Sequence, residues 1–344
     1  MAREIIILVD YKGNFSSKYD AVPYRSGMDK ELLFSAFEKY DISIRFLPFS
    51  EVDFYANWEK KIVLYTSSED DKVLYKSYIE DIIQGLELAG AIVVPKFQYL
   101  RAHHNKVFME ILRSVLALDD GIKTHFYGTV EELIKDINDF NFPCVIKSSA
   151  GALSRGVAKA NNKKELINIA KKLAQSINFY TDVKDYLRCY RHKGYLKSSI
   201  YRNKFIVQTM IPNLENDWKV LVFGNKIFNL KRYVRKNDFR ASGSHVNYQI
   251  GSNSGLTREM MEFVYSIYKK MNVPMLSFDL AYDGQKFYMI EFQILYFGTS
   301  TFNLSNDYYE RSSDGDWILK NKDCSLEELY SYAIHSYLVN NGCL

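Results

Sequence analysis

The stretch Met275–Gly298, MLSFDLAYDGQKFYMIEFQILYFG, contains two short runs of alternating apolar and polar residues, LSFDLAY and KFYMIEFQ. They flank Asp283-Gly284-Gln285, a hairpin signature. A two-residue turn at Asp283-Gly284 puts Asp279 and Glu291 on opposite faces, whereas a three-residue loop changes the parity. Ser277, Asp279, Ala281, Met289, Glu291 and Gln293 then share one face. Phe278, Leu280, Tyr282, Tyr288, Ile290 and Phe292 share the other. This second register sorts the apolar side chains onto one face and is the one expected. It makes Asp279 and Glu291 near-diagonal neighbours, roughly 7–8 Å apart at the backbone, with Gln293 one pleat beyond. Two carboxylates and an amide oxygen on one strand pair form a hard-oxygen site suited to Mg²⁺ and its phosphate ligands. Taken alone, the hairpin is as compatible with two solvated acids on a sheet face.

The chain around this hairpin has 344 residues, enough for two or three packed units. A hydrophobic content of 47% with 25% charged residues is ordinary for a soluble globular protein. A net charge of +4 does not argue for nucleic acid, and none is expected as a partner. The opening MAREIIILVDYKG puts an acid before a short apolar run and lacks the cleavage region of a signal peptide. No apolar run approaches the ~20 residues of a membrane span. Cys144, Cys189, Cys324 and Cys343 are scattered without a CxxC pair, so neither a structural zinc nor a disulfide framework is indicated. A cytoplasmic location is expected.

From the N-terminus, EIIILV, ISIRFLPF, KIVLYTSS and AIVVP read as strands, alternating with helical spacing over 28–40 and 72–89. Gly90 is a C-cap signal. Residues 1–104 therefore read as a small, open, largely parallel α/β domain, whose ligands belong at the carboxyl ends of its strands. His103 and His104 complete no metal spacing and read as surface or cap residues. FPCVIKSSAGALSRGVAKA then reads as a strand, a glycine- and serine-rich loop and a second strand. Small residues let backbone N–H groups approach phosphate oxygens, and Lys147, read as an exposed lysine at the strand end, supplies a point charge. The spacing is neither a Walker motif nor GxGxxG. Residues 182–204 are basic and aromatic and read as a helical hairpin turning at Gly194, either a solvated surface or a contact for an anionic partner. Further on, 205–210, 218–223 and 227–234 read as strands, the last two joined by a tight turn at Asn225-Lys226. That turn delivers Lys231, Arg232, Arg235 and Arg240 in succession, a crowding of cations that acids or anions must meet. Helices follow over 257–271 and 325–340.

Taken together these pieces resemble an ATP-grasp enzyme, nearest in pattern to the ribosomal-protein glutamate ligases and related carboxylate–amine ligases. The resemblance runs from Asn105 to Gly298 in motif order. Lys106 and Lys147 stand where that family has two phosphate-contacting lysines. SSAGALSRG, with Ser148, Gly151 and Gly156, is similar to its flexible glycine loop. Gln208, Thr209, Met210 and Ile211 match the linker strand beside the adenine. Asp217 matches the acid of a D-x-R segment, with Lys219 in place of the arginine. KRYVRKNDFRASGS resembles the family's R…DFR-x-N run, which implies Lys231 and Arg232 for phosphate, and Arg240 and Ser242 for phosphate or acceptor. Asp279, Glu291 and Gln293 match the metal triad, Gln293 standing where asparagine is usual.

The resemblance implies an α/β protein, α+β in its C-terminal half, with the parallel domain followed by a two-lobed ATP-grasp fold. The lobes would be 105–212, with the phosphate loop and the basic insert, and 213–344, with the metal hairpin. It implies ATP and Mg²⁺ or Mn²⁺ as cofactors and Arg232 and Arg240 as the catalytic cations. The reaction implied joins a small-molecule carboxylate to an amine through an acylphosphate, releasing ADP and phosphate. The basic insert permits an acidic peptide or glycan as acceptor, and a homo-oligomer is compatible with the pattern. Two other readings stay open: an ATP-binding regulator without turnover, supported by Lys219 and Gln293, and an ATP-grasp kinase acting on a hydroxyl.

Overall fold

The structure, a computed structural model, describes residues 3–118, 121–151, 156–234, 239–240 and 248–344. It contains two compact units, one of Met1–His103, Val115–Asp120 and Leu214–Leu344, the other of His104–Ser114 and Gly121–Asn213.

The first unit opens with four parallel strands, β1 (Arg3–Val9), β2 (Ile42–Pro48), β3 (Ile62–Tyr65) and β4 (Ile92–Val94), ordered β2-β1-β3-β4. Parallel strands are covered on both faces and so read as unbroken apolar runs; Ile5 to Val9 are all buried. Between them, α1 (Lys30–Glu38) starts at Asp29, whose carboxylate accepts from the Glu31 and Leu32 amides. The next helix, α2 (Leu74–Leu88), stops ahead of Gly90, which takes φ +88° as a left-handed C-terminal residue must. A helix the periodicity does not announce, α3 (Phe97–Ala102), is too short to show one. His103, read as a surface or cap residue, is the C-terminal cap of α3 and is buried, with Nδ1 2.8 Å from Ser67 Oγ just past the carboxyl end of β3.

The second unit holds most of α4 (Lys106–Val115), then β5 (Thr124–Tyr127), α5 (Val130–Lys135), β6 (Cys144–Ser148), β7 (Val157–Ala160), α6 (Lys163–Ala174), α7 (Phe179–Arg191) and β8 (Phe205–Thr209). Its sheet is antiparallel, ordered β5-β8-β6-β7. Leu133, Ile146, Leu166, Phe205 and Val207 meet in its core. The expected helical hairpin at 182–204 is instead the single helix α7, with Gly194 in the turn behind it.

The first unit resumes with β9 (Asn216–Phe223), β10 (Lys226–Tyr233), β11 (Tyr248–Ile250), α8 (Arg258–Met271), β12 (Met275–Tyr282), β13 (Phe287–Gln293), α9 (Ser300–Leu304), β14 (Asp307–Arg311), β15 (Trp317–Asn321) and α10 (Leu326–Asn340). The strands run β13-β12-β9-β10-β14-β15, with β11 against β10. One face packs Leu221, Phe223, Phe228 and Met275 into the same core as Ile5, Phe37 and Ile334 of α10. Fully burying each such side chain contributes about 1.5–3 kcal/mol. Ser325 caps α10 in a reciprocal box with Glu328. The β14–β15 hairpin has no counterpart in the sequence reading. Its strands have few buried residues, so they lack the apolar pattern that marks a strand.

Candidate active site

The β12–β13 hairpin reaches the expected face by another route. Tyr282 pairs with Phe287, so the loop Asp283–Lys286 has four residues, with Asp283 Oδ1 accepting from the Gln285 and Lys286 amides at 2.8 Å. An even loop alone sets Asp279 and Glu291 on opposite faces. A bulge restores the parity: Leu280 pairs with Met289 but Asp279 pairs with Glu291, leaving Ile290 as the extra residue. Asp279 and Glu291 are therefore directly opposed and not diagonal, with Ser277 opposite Gln293 beside them. Two side chains exchange places relative to the expectation. Met289 joins the apolar face opposite Leu280 and is fully buried, and Tyr288 lies opposite Ala281 on the acidic one.

The neighbouring strands complete that face. On β9, Asp217 lies opposite Ala281 and Lys219 opposite Asp279; on β10, Arg232 lies opposite Asp217. Directly paired residues share a face, so Asp217, Lys219, Arg232, Asp279 and Glu291 all project from one side. Arg232 grips Asp217 with two bonds, Nε to Oδ1 at 2.6 Å and Nη2 to Oδ2 at 2.9 Å, and reaches Asp279 Oδ2 at 3.2 Å. Lys219 Nζ lies 3.0 Å from Asp279 Oδ1.

Two acids and two cations are thus closed off together, and Asp217 is only 2% exposed. Burial pushes the Asp217 carboxyl upward, with the Asp279 charge adding to it, although Arg232 holds it bidentately. Burial also works to raise Asp279, but Arg232 and Lys219 together outweigh it and hold that carboxyl below its usual range. Burial would lower the Arg232 guanidinium, and its two carboxylates raise it instead. Asp217 faces one close cation where Asp279 faces two, so the two carboxyls move in opposite directions.

The tight turn is Gly224-Asn225 and not Asn225-Lys226, since Phe223 pairs with Lys226. Gly224 takes φ +61°, which suits glycine as the first central residue of a two-residue hairpin. This register turns Lys231 to the opposite face, with its ammonium 4.9 Å from the centre of the Trp218 ring. Arg240 is half-buried with its guanidinium 5.6 Å over Phe239. Ser242 and Arg235 lie outside the described residues.

The second unit gathers the other candidates. Lys106 Nζ donates to the Gly151 carbonyl at 2.9 Å, and the Lys106 amide to that of Ser149 at 2.8 Å. Ser148 donates its amide to the Gly156 carbonyl at 2.8 Å and its hydroxyl to that of Ala150 at 2.7 Å. Gly156 has φ +73°, and a Cβ there would stand 2.1 Å from Ser148 Oγ, so the loop's closure requires glycine. Lys147 on β6 is buried, which corrects the reading of it as an exposed strand-end lysine. Gln208 spends its side chain on Thr124 Oγ1, 2.9 Å away, and Thr209 its amide on the Lys123 carbonyl, 3.0 Å away. Met210 and Ile211 follow the strand end. A group missed from sequence stands behind Gln208: buried Glu110 accepts from Thr124 at 3.0 Å and pairs with Arg113 at 3.1 Å. The helical i,i+3 spacing of Glu110 and Arg113 was the signal for it.

A divalent cation fits the donor set on the large sheet. Asp279, Glu291 and Gln293 present hard oxygens on one face. Among the described residues, Ser277 Oγ is buried there with no hydrogen-bond partner, and Asp279 Oδ1 has Lys219 Nζ alone, 3.0 Å away. Buried polar atoms are seldom left so.

The open parallel sheet, the small antiparallel sheet and the large one constitute the ATP-grasp fold. The chain belongs to the RimK-like ATP-grasp family, whose domain model matches residues 112–294. Members of that family are ATP-dependent ligases. No curated protein matches the sequence. Among solved structures, D-cycloserine synthetase DcsG is similar with TM-score 0.56 at 10% identity, over 97% of this chain and 99% of that one. A RiPP-associated ATP-grasp ligase from Chryseobacterium gregarium, in complex with ADP and a leader and core peptide, is similar with TM-score 0.54 at 13% identity, over 98% and 97%. A RimK domain ATP-grasp protein from Sphaerobacter thermophilus is similar with TM-score 0.53 at 12% identity, over 96% and 98%. At these identities the likeness is one of fold.

Proposed function

We propose that this chain is an ATP-dependent ligase that joins a carboxylate to an amine through an acylphosphate, acting in the cytoplasm and releasing ADP and phosphate. The observation that carries the reading is the one-sided array of Asp217, Lys219, Arg232, Asp279 and Glu291 on adjacent strands, within the span of the family match. In this reading residues 105–212 supply Lys106, Lys147 and the glycine loop to the phosphates, and 213–344 supply the carboxylates and Arg232. Mg²⁺ or Mn²⁺ would be held by Asp279, Glu291 and Gln293 and would supply charge neutralisation at the phosphates. Asp217 fixes the Arg232 guanidinium in plane, so that the cation is aimed before charge develops on the transferring group. The solved complex of a fold relative with ADP and a peptide agrees with an amino-acid or peptide acceptor. ADP release, assayed across a panel of carboxylates with and without amines, tests the reading: turnover must require both. One observation favours a second reading, a nucleotide-binding regulator. Lys219 already neutralises Asp279. Tight ATP binding with no ADP release across the whole panel would select it.

A further inference from the structure

Helix α7 carries its amphipathic character the wrong way round. None of its residues is buried. Phe179 is 81% exposed, Tyr186 70% and Tyr190 91%, and Val183 and Leu187 stand exposed among them. At helical spacing these five side chains fall within an arc about 100° wide. The helix rests on another side: Asp185 accepts from Tyr195 Oη at 2.8 Å and from the Ser198 amide at 3.0 Å, tying α7 to the chain that follows it. The polar side is thus the anchored one, and the aromatic side faces outward. Soluble monomers seldom leave such a continuous apolar face uncovered.

The residues along its border identify what covers it. Lys184 and Arg191 line one edge of the apolar arc, and Asp182 lies beside the other. Lys184 Nζ lies 4.0 Å from the Tyr180 ring centre. Arg188 pairs with Asp185, but Arg191, Lys193 and Lys197 meet no carboxylate among the described residues. A helical peptide partner requires a groove, and side chains as exposed as Tyr190 line none. A ridge of tyrosine and phenylalanine edged with lysine and arginine has instead the composition of helices that lie in the headgroup layer. There the rings sink to the acyl boundary while the long basic stems keep their charges at the phosphates.

We propose that α7 is a docking helix for the surface of an anionic lipid bilayer, with the Phe179–Tyr190 face inserted and the basic edge on the headgroups. Flotation of the full chain with phosphatidylcholine vesicles, with and without phosphatidylserine, is the test. Binding is expected with phosphatidylserine at low salt and is lost at high salt. Replacing Lys184 and Arg191 together by glutamine should weaken it by roughly tenfold or more. The triple change Phe179→Ser, Tyr186→Ser and Tyr190→Ser should abolish it without moving the thermal midpoint. Tyr190→Trp gives an independent readout, in which the indole emission shifts to the blue with anionic vesicles and is quenched by brominated acyl chains. No flotation with phosphatidylserine, or equal flotation of parent and variants, would overturn the proposal. So would a dimer in sedimentation that the serine variant dissolves, since a second copy would then cover the face.

Discussion

Lys219 sets its ammonium 3.0 Å from the Asp279 carboxylate, directly across the β9–β12 ladder. A cation thus stands beside the oxygen that the proposed function assigns to a divalent metal. Two unit charges about 4 Å apart repel by about 1 kcal/mol even with the full screening of water. Lys219→Met should therefore tighten Mn²⁺ binding at least about fivefold by calorimetry. Weaker binding in that variant would mean that Lys219 holds Asp279 in place and does not compete for it.

Asp217→Asn removes one partner of a buried ion pair and leaves Arg232 with Asp279 alone. Breaking such a pair costs about 3–5 kcal/mol. Urea unfolding should show a loss of that size. A loss under 1 kcal/mol would mean that water reaches Arg232 more readily than the 2% exposure of Asp217 implies.

Lys147→Ala should weaken ATP binding by about 1.5–3 kcal/mol, the size of one charge-assisted hydrogen bond. Because Lys147 is buried, its stem also packs, so the thermal midpoint should fall as well. Unchanged ATP affinity beside a lowered midpoint would leave the residue structural.

Acid should act on α10 through Glu328. Its hydrogen bond from Lys39, and then that from the Ser325 amide, lower its carboxyl from 4.5 to about 2. A depressed carboxyl stabilises the fold fully above the unfolded value and loses that contribution as pH falls through the folded one. The thermal midpoint of Glu328→Gln should lie below the parent's at neutral pH and converge on it between about pH 4.5 and pH 2. A gap that persists below pH 2 would exclude the charge as its cause.

The parallel sheet was legible because strands buried on both faces are unbroken runs of Ile, Val and Leu. That Asp279 and Glu291 share a face was legible, and the pairing around them was not. A turn read one residue late, at Asn225-Lys226, sets Arg232 opposite Lys219; the true turn at Gly224-Asn225 sets it opposite Asp217. One step along a hairpin thus changes a repulsion into a bidentate ion pair. Glycine's preference for the left-handed position is the detail that fixes it. The bulge at Ile290 was beyond reach, because an even loop with a bulge and an odd loop without one place Asp279 and Glu291 on the same face. The outward side of α7 was also illegible. Periodicity reports that a helix has two sides, and only the Asp185 contacts tell which one is anchored.

Activation of the carboxylate as an acylphosphate is tested by hydroxylamine trapping. With ATP, Mg²⁺ and carboxylate but no amine, hydroxylamine should yield a hydroxamate together with an equal amount of ADP. Glu291→Gln, which keeps the shape and removes the charge, should lower that rate by roughly 10²–10³. AMP and pyrophosphate in place of ADP would rule out the acylphosphate, and full hydroxamate formation by Glu291→Gln would remove the Glu291 charge from the reaction.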